Sequence, residues 1–193
     1  MATLFLVVWA SQGSVLTETI PVPGSKNGFA AKVEREIDGR KVPLELTGVA
    51  MRKRFLFNVY AIGSYVEEGR LPRSAQDLVL LDAPKQLHLI MERDVSGQDI
   101  AENFRSAIRA NYPAPEFEQE ITTLAKQLSV QTLRRGDQIF LTYVPKVGLH
   151  VALAGKAEQT IPNPRFCQAV WEIYFGKNNI GAEVKQGLLS RLR

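Results

Sequence analysis

From Phe55 to Val66 the chain reads FLFNVYAIGSYV, rich in aromatic and β-branched residues, and this pattern predicts a long strand. Met51-Arg52-Lys53-Arg54 stands directly before it, so a cluster of cations abuts a strand-forming apolar run. Read as one extended chain, Arg52, Arg54, Leu56, Asn58 and Tyr60 fall on one side, and Met51, Lys53, Phe55, Phe57 and Val59 on the other. Cations beside an apolar wall suit a ligand with an anionic head and a greasy body. Upstream, Phe29 to Ile37 and Val42 to Leu46 flank Asp38-Gly39, a strong hairpin signal. Gln86 to Glu92 predicts a further strand after a short irregular or helical connection.

The period then changes. Ser96 with Asp99 resembles a capping box, and Ile100, Phe104, Ala107 and Ile108 recur at helical spacing up to Pro113. Pro115 is expected to open a second helix with Phe117, Ile121, Leu124 and Leu128 on its apolar face, stopping before Gly136. Gln138 to Val144 and Leu149 to Ala154 surround Pro145-Lys146-Val147-Gly148, which predicts another hairpin. Asn163-Pro164 starts a helix through Phe166, Val170 and Ile173 to Gly176, and Ala182 to Leu192 supplies a last one. Strands and helices come in blocks rather than as alternating βαβ units. The expected class is therefore α+β, a mostly antiparallel sheet with helices on one face.

The chain has 193 residues, enough for one domain with a real core and no need of disulfides or metals. Thr17 to Asn27 contains Pro21, Pro23 and Gly24 and reads as a loop or extended lead-in. The domain is placed at residues 29–193, after a flexible segment 1–28. Leu4 to Ala10 is a short apolar run ending in a small-residue site, without a basic residue before it. Two readings stay open. If Met1 to Ala10 is an export signal the protein is periplasmic or secreted; otherwise it is cytoplasmic. No segment approaches the roughly 20 apolar residues of a membrane span.

A net charge of +4 is modest and its basic residues are scattered, without the stripe and interleaved aromatics of a nucleic-acid reader, so no nucleic-acid partner is expected. The sequence carries no signal for oligomeric state. The histidines, His88 and His150, lie in expected strands, with no HExxH and no paired cysteines, so no metal is expected. Cys167 lies on the apolar side of a helix and reads as a small buried hydrophobe. There is no GxSxG elbow and no phosphate loop, because Gly176 to Gly181 lacks the GKS/T ending and follows a helix; no cofactor is expected.

Taken in order, TGVAMR, FNVYAIGSYVEE, RDVSGQDIAENF, GDQIFLTYVPKVGLHV and AVWEIYFGKN resemble the chalcone isomerase-like proteins of bacterial type, over roughly Val33 to Leu189. The resemblance implies an open-faced β-sandwich, a large antiparallel sheet layered with helices, and a ligand cleft between them. In the plant isomerases of this family an arginine after the glycine turn stabilises the phenolate and developing enolate as a hydroxychalcone closes to a flavanone, and Arg52 matches it. The threonine they use before Ala-Ile-Gly is Tyr60 here. Their tyrosine shortly after Ser-Gly and the asparagine two turns further on are Ile100 and Ala107, and a threonine of the late helix is Ile173.

Losing one preorganised donor can cost about 3 kcal/mol of transition-state stabilisation, so these replacements argue against cyclisation. An arginine with a tyrosine is instead similar to the family's fatty-acid-binding members, in which the pair holds a carboxylate at the mouth of an apolar cleft. Arginine stays charged and can meet a carboxylate bidentately, and the phenol adds a neutral donor. Ile100, Phe104, Ala107 and Ile173 would leave room for the tail, and Arg54 would take the head group if the turn shifts register. A tail of ten methylenes would contribute about 8 kcal/mol and each charge-assisted hydrogen bond about 1.5–3 kcal/mol.

The expected function is non-catalytic binding of a small amphipathic, carboxylate-bearing ligand. Two others stand beside it: a weak intramolecular lyase using Arg52 and Tyr60, and a structural or protein-binding module. In the last, Phe57, Phe104 and Trp171 would close the cleft, and Arg52 would merely pair with Glu45 or Glu67.

Overall fold

From Tyr60 to Val66, the apolar run that follows the cation cluster becomes a buried inner strand of the sheet. The structure, a computed structural model, describes residues 18–37, 39–129, 132–153 and 158–192. In chain order the elements are β1 (Thr19–Pro21), β2 (Gly28–Ala30), β3 (Lys32–Ile37), β4 (Arg40–Arg54), β5 (Phe57–Glu67), α1 (Ala75–Leu80), β6 (Lys85–Met91), β7 (Val95–Ser96) and α2 (Gly97–Arg109). There follow α3 (Glu118–Ser129), β8 (Thr132–Leu133), β9 (Gln138–Val144), β10 (Gly148–Leu153), β11 (Glu158–Ile161), α4 (Pro164–Phe175) and α5 (Ala182–Leu188).

Seven strands form one antiparallel sheet in the order β11-β10-β9-β6-β5-β4-β3. Successive side chains of a strand point to opposite faces, and here both faces are apolar at the sheet centre. Tyr60, Ile62 and Val66 of β5 join Leu87, Leu89 and Met91 of β6 under the helices. Ala61 and Tyr65 face the other way, into a smaller cluster with Val22, Phe29, Leu44 and Leu46. That second face is covered by the β1–β2 pair, with the Tyr65 hydroxyl donating to Ala30 O at 2.9 Å. The α+β class and the helix-layered antiparallel sheet are as the sequence predicts.

α4 is the helix most deeply set. Asn163 caps it, its Oδ1 accepting from Arg165 N at 3.0 Å and Phe166 N at 3.2 Å, and Pro164 occupies the first turn where a missing N–H costs nothing. Cys167 of this helix is buried, as its apolar neighbours imply, and burial pushes its thiol up to about 12, far from a reactive thiolate. α5 is pinned to β4 at a bulge between Leu46 and Gly48. Thr47 Oγ1 donates to Leu188 O at 2.9 Å, and a Cβ at Gly48 would stand 2.2 Å from Gly187 O, so only glycine permits the approach. Lys85 is buried, yet its ammonium donates to Leu78 O and Val79 O at 2.9 and 2.7 Å, closing the end of α1.

Several boundaries differ from expectation. Residues 51–60 are not one extended chain: β4 runs on through the cation cluster to Arg54, and the chain reverses at Phe55-Leu56. The turn carries no Asn-Gly or Asp-Gly, so its sequence does not announce it; Phe55 takes the positive φ of 53° that such a turn needs. Pro115 does not open α3, because Phe117 also has a positive φ, 57°, and the helix starts at Glu118. α5 ends at Leu188 rather than Leu192, and β11 was unanticipated. The lead-in is extended but packed: β1 pairs with β2, and Val22 is buried. The candidate export signal at residues 1–10 lies outside the described residues.

His88, in β6, is half-buried among aromatic rings on the face of the sheet away from the helices. It stacks on Phe140 with ring centroids 4.3 Å apart, meets the edge of Phe29, and its Nε2 lies 2.8 Å from Gln138 Oε1. Desolvation lowers its pKa to about 4 from 6.5, so the unfolded chain binds the proton more tightly and stability is lost as pH falls from 6.5 towards 4. The loss attributable to this side chain should be about 3 kcal/mol. Urea unfolding at several pH values should show that loss, and His88→Phe should flatten it.

Candidate functional site

The turn end of the β4–β5 hairpin, the last turn of α4 and one face of α2 enclose a cleft of about 430 Å³ between sheet and helices. That volume falls within the span of about 300–1,000 Å³ usual for small-molecule sites. Arg52 and Tyr60 are cross-strand partners, followed by a bulge that puts Lys53 opposite Asn58. Directly opposed residues of an antiparallel pair share a face. Both side chains therefore enter the helix side of the sheet.

α4 brings Tyr174 to them. The Tyr60 and Tyr174 hydroxyls are 3.2 Å apart in a buried hydrogen bond. Beyond α4, Ile180 N donates to Ile173 O at 2.9 Å, folding the connection back so that Ile180 O receives Arg52 Nη1 at 2.6 Å. α2 supplies the opposite wall with Ile100, Asn103, Phe104 and Ala107, residues one helical turn apart on a single face. Ser96 starts this helix, its Oγ accepting from Gln98 N at 3.2 Å. Asp99, its neighbour in the anticipated capping box, stands exposed on the cleft wall.

Electrostatically the floor of the site sets the Arg52 guanidinium beside two neutral phenols. Among the described residues no carboxylate pairs with Arg52; Glu45 and Glu67 lie at the far end of the hairpin, opposite Val66 and Leu44. Burial raises the pKa of Tyr60, against the smaller opposing pull of its bond to Tyr174 and of the Arg52 charge. Burial likewise holds Tyr174 well above its ordinary value, with Tyr60 adding to the effect. Each phenol has one proton. One is consumed within the pair, so the other can be donated to a third acceptor.

All the residues singled out in the sequence, Arg52, Arg54, Tyr60, Ile100, Phe104, Ala107 and Ile173, line this one cleft. Arg52 is half-buried and Tyr60 only 7% exposed, so the Tyr60 hydroxyl is at the floor rather than the rim. Arg54 is exposed at the rim with Phe55, Phe57 and Arg93. Trp171 is fully buried and forms no part of the wall, and Phe57 is 62% exposed, so these two do not close the cleft. Sequence reasoning missed Tyr174, although it follows Ile173 directly in the helix; it missed Arg93 too, which adjoins the cleft only through the β6–β7 turn. Among the described residues no group of His, Cys, Asp and Glu is placed to hold a metal.

A seven-stranded antiparallel sheet, helices layered on one face and a cleft between the layers define an open-faced α+β sandwich. The chalcone isomerase-like family model matches residues 26–190, and the chain belongs to that family. Among solved structures it is similar to the crystal structure of the Arabidopsis thaliana fatty-acid binding protein, with 17% identity, a TM-score of 0.71, and 91% of this chain and 97% of that one covered. At that identity the likeness shows the fold. No curated protein matches the sequence.

Removing either hydroxyl of the tyrosine pair strands the other in a buried place, at a cost of about 1–3 kcal/mol. Tyr60→Phe and Tyr174→Phe should each lower the midpoint of urea unfolding. The double variant should cost clearly less than the sum, the signature of a direct bond in a double-mutant cycle.

Proposed function

We propose that this protein binds a fatty-acid-like carboxylate in the cleft without transforming it. The observation that carries the reading is Arg52, a half-buried guanidinium whose hydrogen-bond partner among the described residues is the neutral Ile180 O, next to a phenol pair with a proton to give. A carboxylate there would take charge-assisted bonds from Arg52 and a neutral one from the Tyr60–Tyr174 pair. Ile100, Phe104, Ala107 and Ile173 offer the alkyl chain an apolar surface. The fatty-acid-binding character of the similar plant protein agrees with this assignment.

Cyclisation of a hydroxychalcone is the second reading, because in the sequence resemblance Arg52 matches the isomerases' electrostatic arginine, and it faces Tyr60 across the ladder. It ranks lower. Ile100, Ala107 and Ile173 bring no proton donor or acceptor side chain to the reacting centre, and such chemistry relies on placed donors.

Titration by native mass spectrometry with a saturated fatty acid and with the alcohol of equal chain length separates head from tail. The acid should bind more tightly than the alcohol. Arg52→Ala should weaken acid binding roughly ten- to a hundredfold and leave the alcohol nearly unaffected. Equal binding of acid and alcohol, or acid binding indifferent to Arg52→Ala, would remove the carboxylate assignment. Flavanone formation abolished by Arg52→Ala would install the isomerase reading instead.

A further inference from the structure

Phe55, Leu56 and Phe57, at the tip of the β4–β5 hairpin, are 88%, 95% and 62% exposed, the most exposed large apolar side chains among the described residues. Folding gains little from burying them. Phe55 also holds a φ of 53°, a turn conformation in which Gly or Asn is relaxed and a bulky side chain is strained. Local structure therefore disfavours a phenylalanine here, while an exposed apolar group marks a contact surface. Behind the tip stand Lys53, Arg54 and Arg93, all exposed, with the Arg93 guanidinium 5.4 Å from the Phe57 ring centroid. None of these cations forms an ion pair with a described carboxylate; Asp99 is the acid on the same rim.

We propose that this hairpin tip docks on an anionic membrane surface. The order of groups matches the order of depths in a bilayer. The apolar apex of Phe55 and Leu56 enters the acyl boundary, and the cations just behind it meet the lipid phosphates. A convex tip with a basic collar fits a soft planar surface better than a protein groove. Arg54, Phe55, Phe57 and Arg93 also form the rim of the cleft, so docking sets the mouth of the cleft on the bilayer. An alkyl acid could then pass from lipid to cleft without its tail crossing water. That transfer rests on the acid-binding reading; the docking itself rests on the tip.

The test is sedimentation of the full chain, without added acid, with vesicles of phosphatidylcholine alone or of phosphatidylcholine with phosphatidylserine. Binding to the phosphatidylserine vesicles, weakened by added salt, is expected. Leu56→Ser should weaken it roughly tenfold, and Lys53→Gln about fivefold on the anionic vesicles only. Phe55→Asn should abolish most binding while the Tm stays level or rises, since Asn suits the turn; this separates a docking role from a structural one. Sedimentation with neither vesicle, or binding indifferent to Leu56→Ser and Phe55→Asn, overturns the proposal. So does a tip-dependent dimer in sedimentation velocity without vesicle binding, which would assign the patch to a second copy. Fatty-acid titration of Leu56→Ser in vesicle-free buffer is a separate readout: acid binding retained there with docking lost supports the proposal, and docking by a protein that binds no acid leaves the tip assignment standing while removing the acid reading.

Discussion

Residues facing each other across an antiparallel ladder share a face, with Cβ atoms about 4.5–5.5 Å apart. The β4–β5 ladder places Arg52 opposite Tyr60, and the bulge that follows ends the register just before the turn. A slip by one residue would turn Tyr60, Ile62 and Val66 away from the helices and Ala61 and Tyr65 into them. The two apolar layers thus enforce the register, and the register brings cation and phenol to one floor. Core packing and site geometry have a single cause.

The second half of the site is held by the way α4 and α5 meet that ladder. The Thr47 bulge and the Gly48–Gly187 approach dock α5 on β4, and the connection before α5 presents Ile180 O to Arg52. A carbonyl oxygen orients the guanidinium without neutralising it. A partly desolvated charge with no counterion is costly, and an anion that arrives there relieves the cost. Any ligand that does so also stabilises the fold by mass action, because the unfolded chain has no such site.

The Tyr60–Tyr174 bond adds direction. Because burial keeps both phenols protonated, the pair acts as a donor and never as an added negative charge near Arg52. The floor therefore offers a positive charge and neutral donors over the whole neutral range, while Ile100, Phe104, Ala107 and Ile173 give the walls apolar surface beside the polar Asp99, Asn103 and Ser106 of α2. His88, on the opposite face of the sheet between Phe29 and Phe140, is remote from this chemistry and serves packing.

Much of this was legible in the chain. The aromatic and β-branched run of β5, the helical spacing of Ile100, Phe104 and Ala107, and the Asn163-Pro164 start of α4 are local signals, set by backbone sterics and by the period at which side chains share a face. The family resemblance singled out Arg52 and Tyr60, and the fold brings both to one cleft. Other features have no local signal. The reversal at Phe55-Leu56 breaks the usual turn chemistry, and Phe117 breaks the expected helix start in the same way. Tyr174 and Ile180 join the site from more than 110 residues away in sequence, the Tyr60–Tyr174 separation being 114 and the Arg52–Ile180 separation 128. By itself the sequence determined which segments extend, which coil and which faces are apolar, because those depend on near neighbours. Only the tertiary structure decided that Arg52 meets a carbonyl instead of a carboxylate and that Tyr60 finds a second phenol, because such partners are chosen by the packing of α4 and α5 on the sheet.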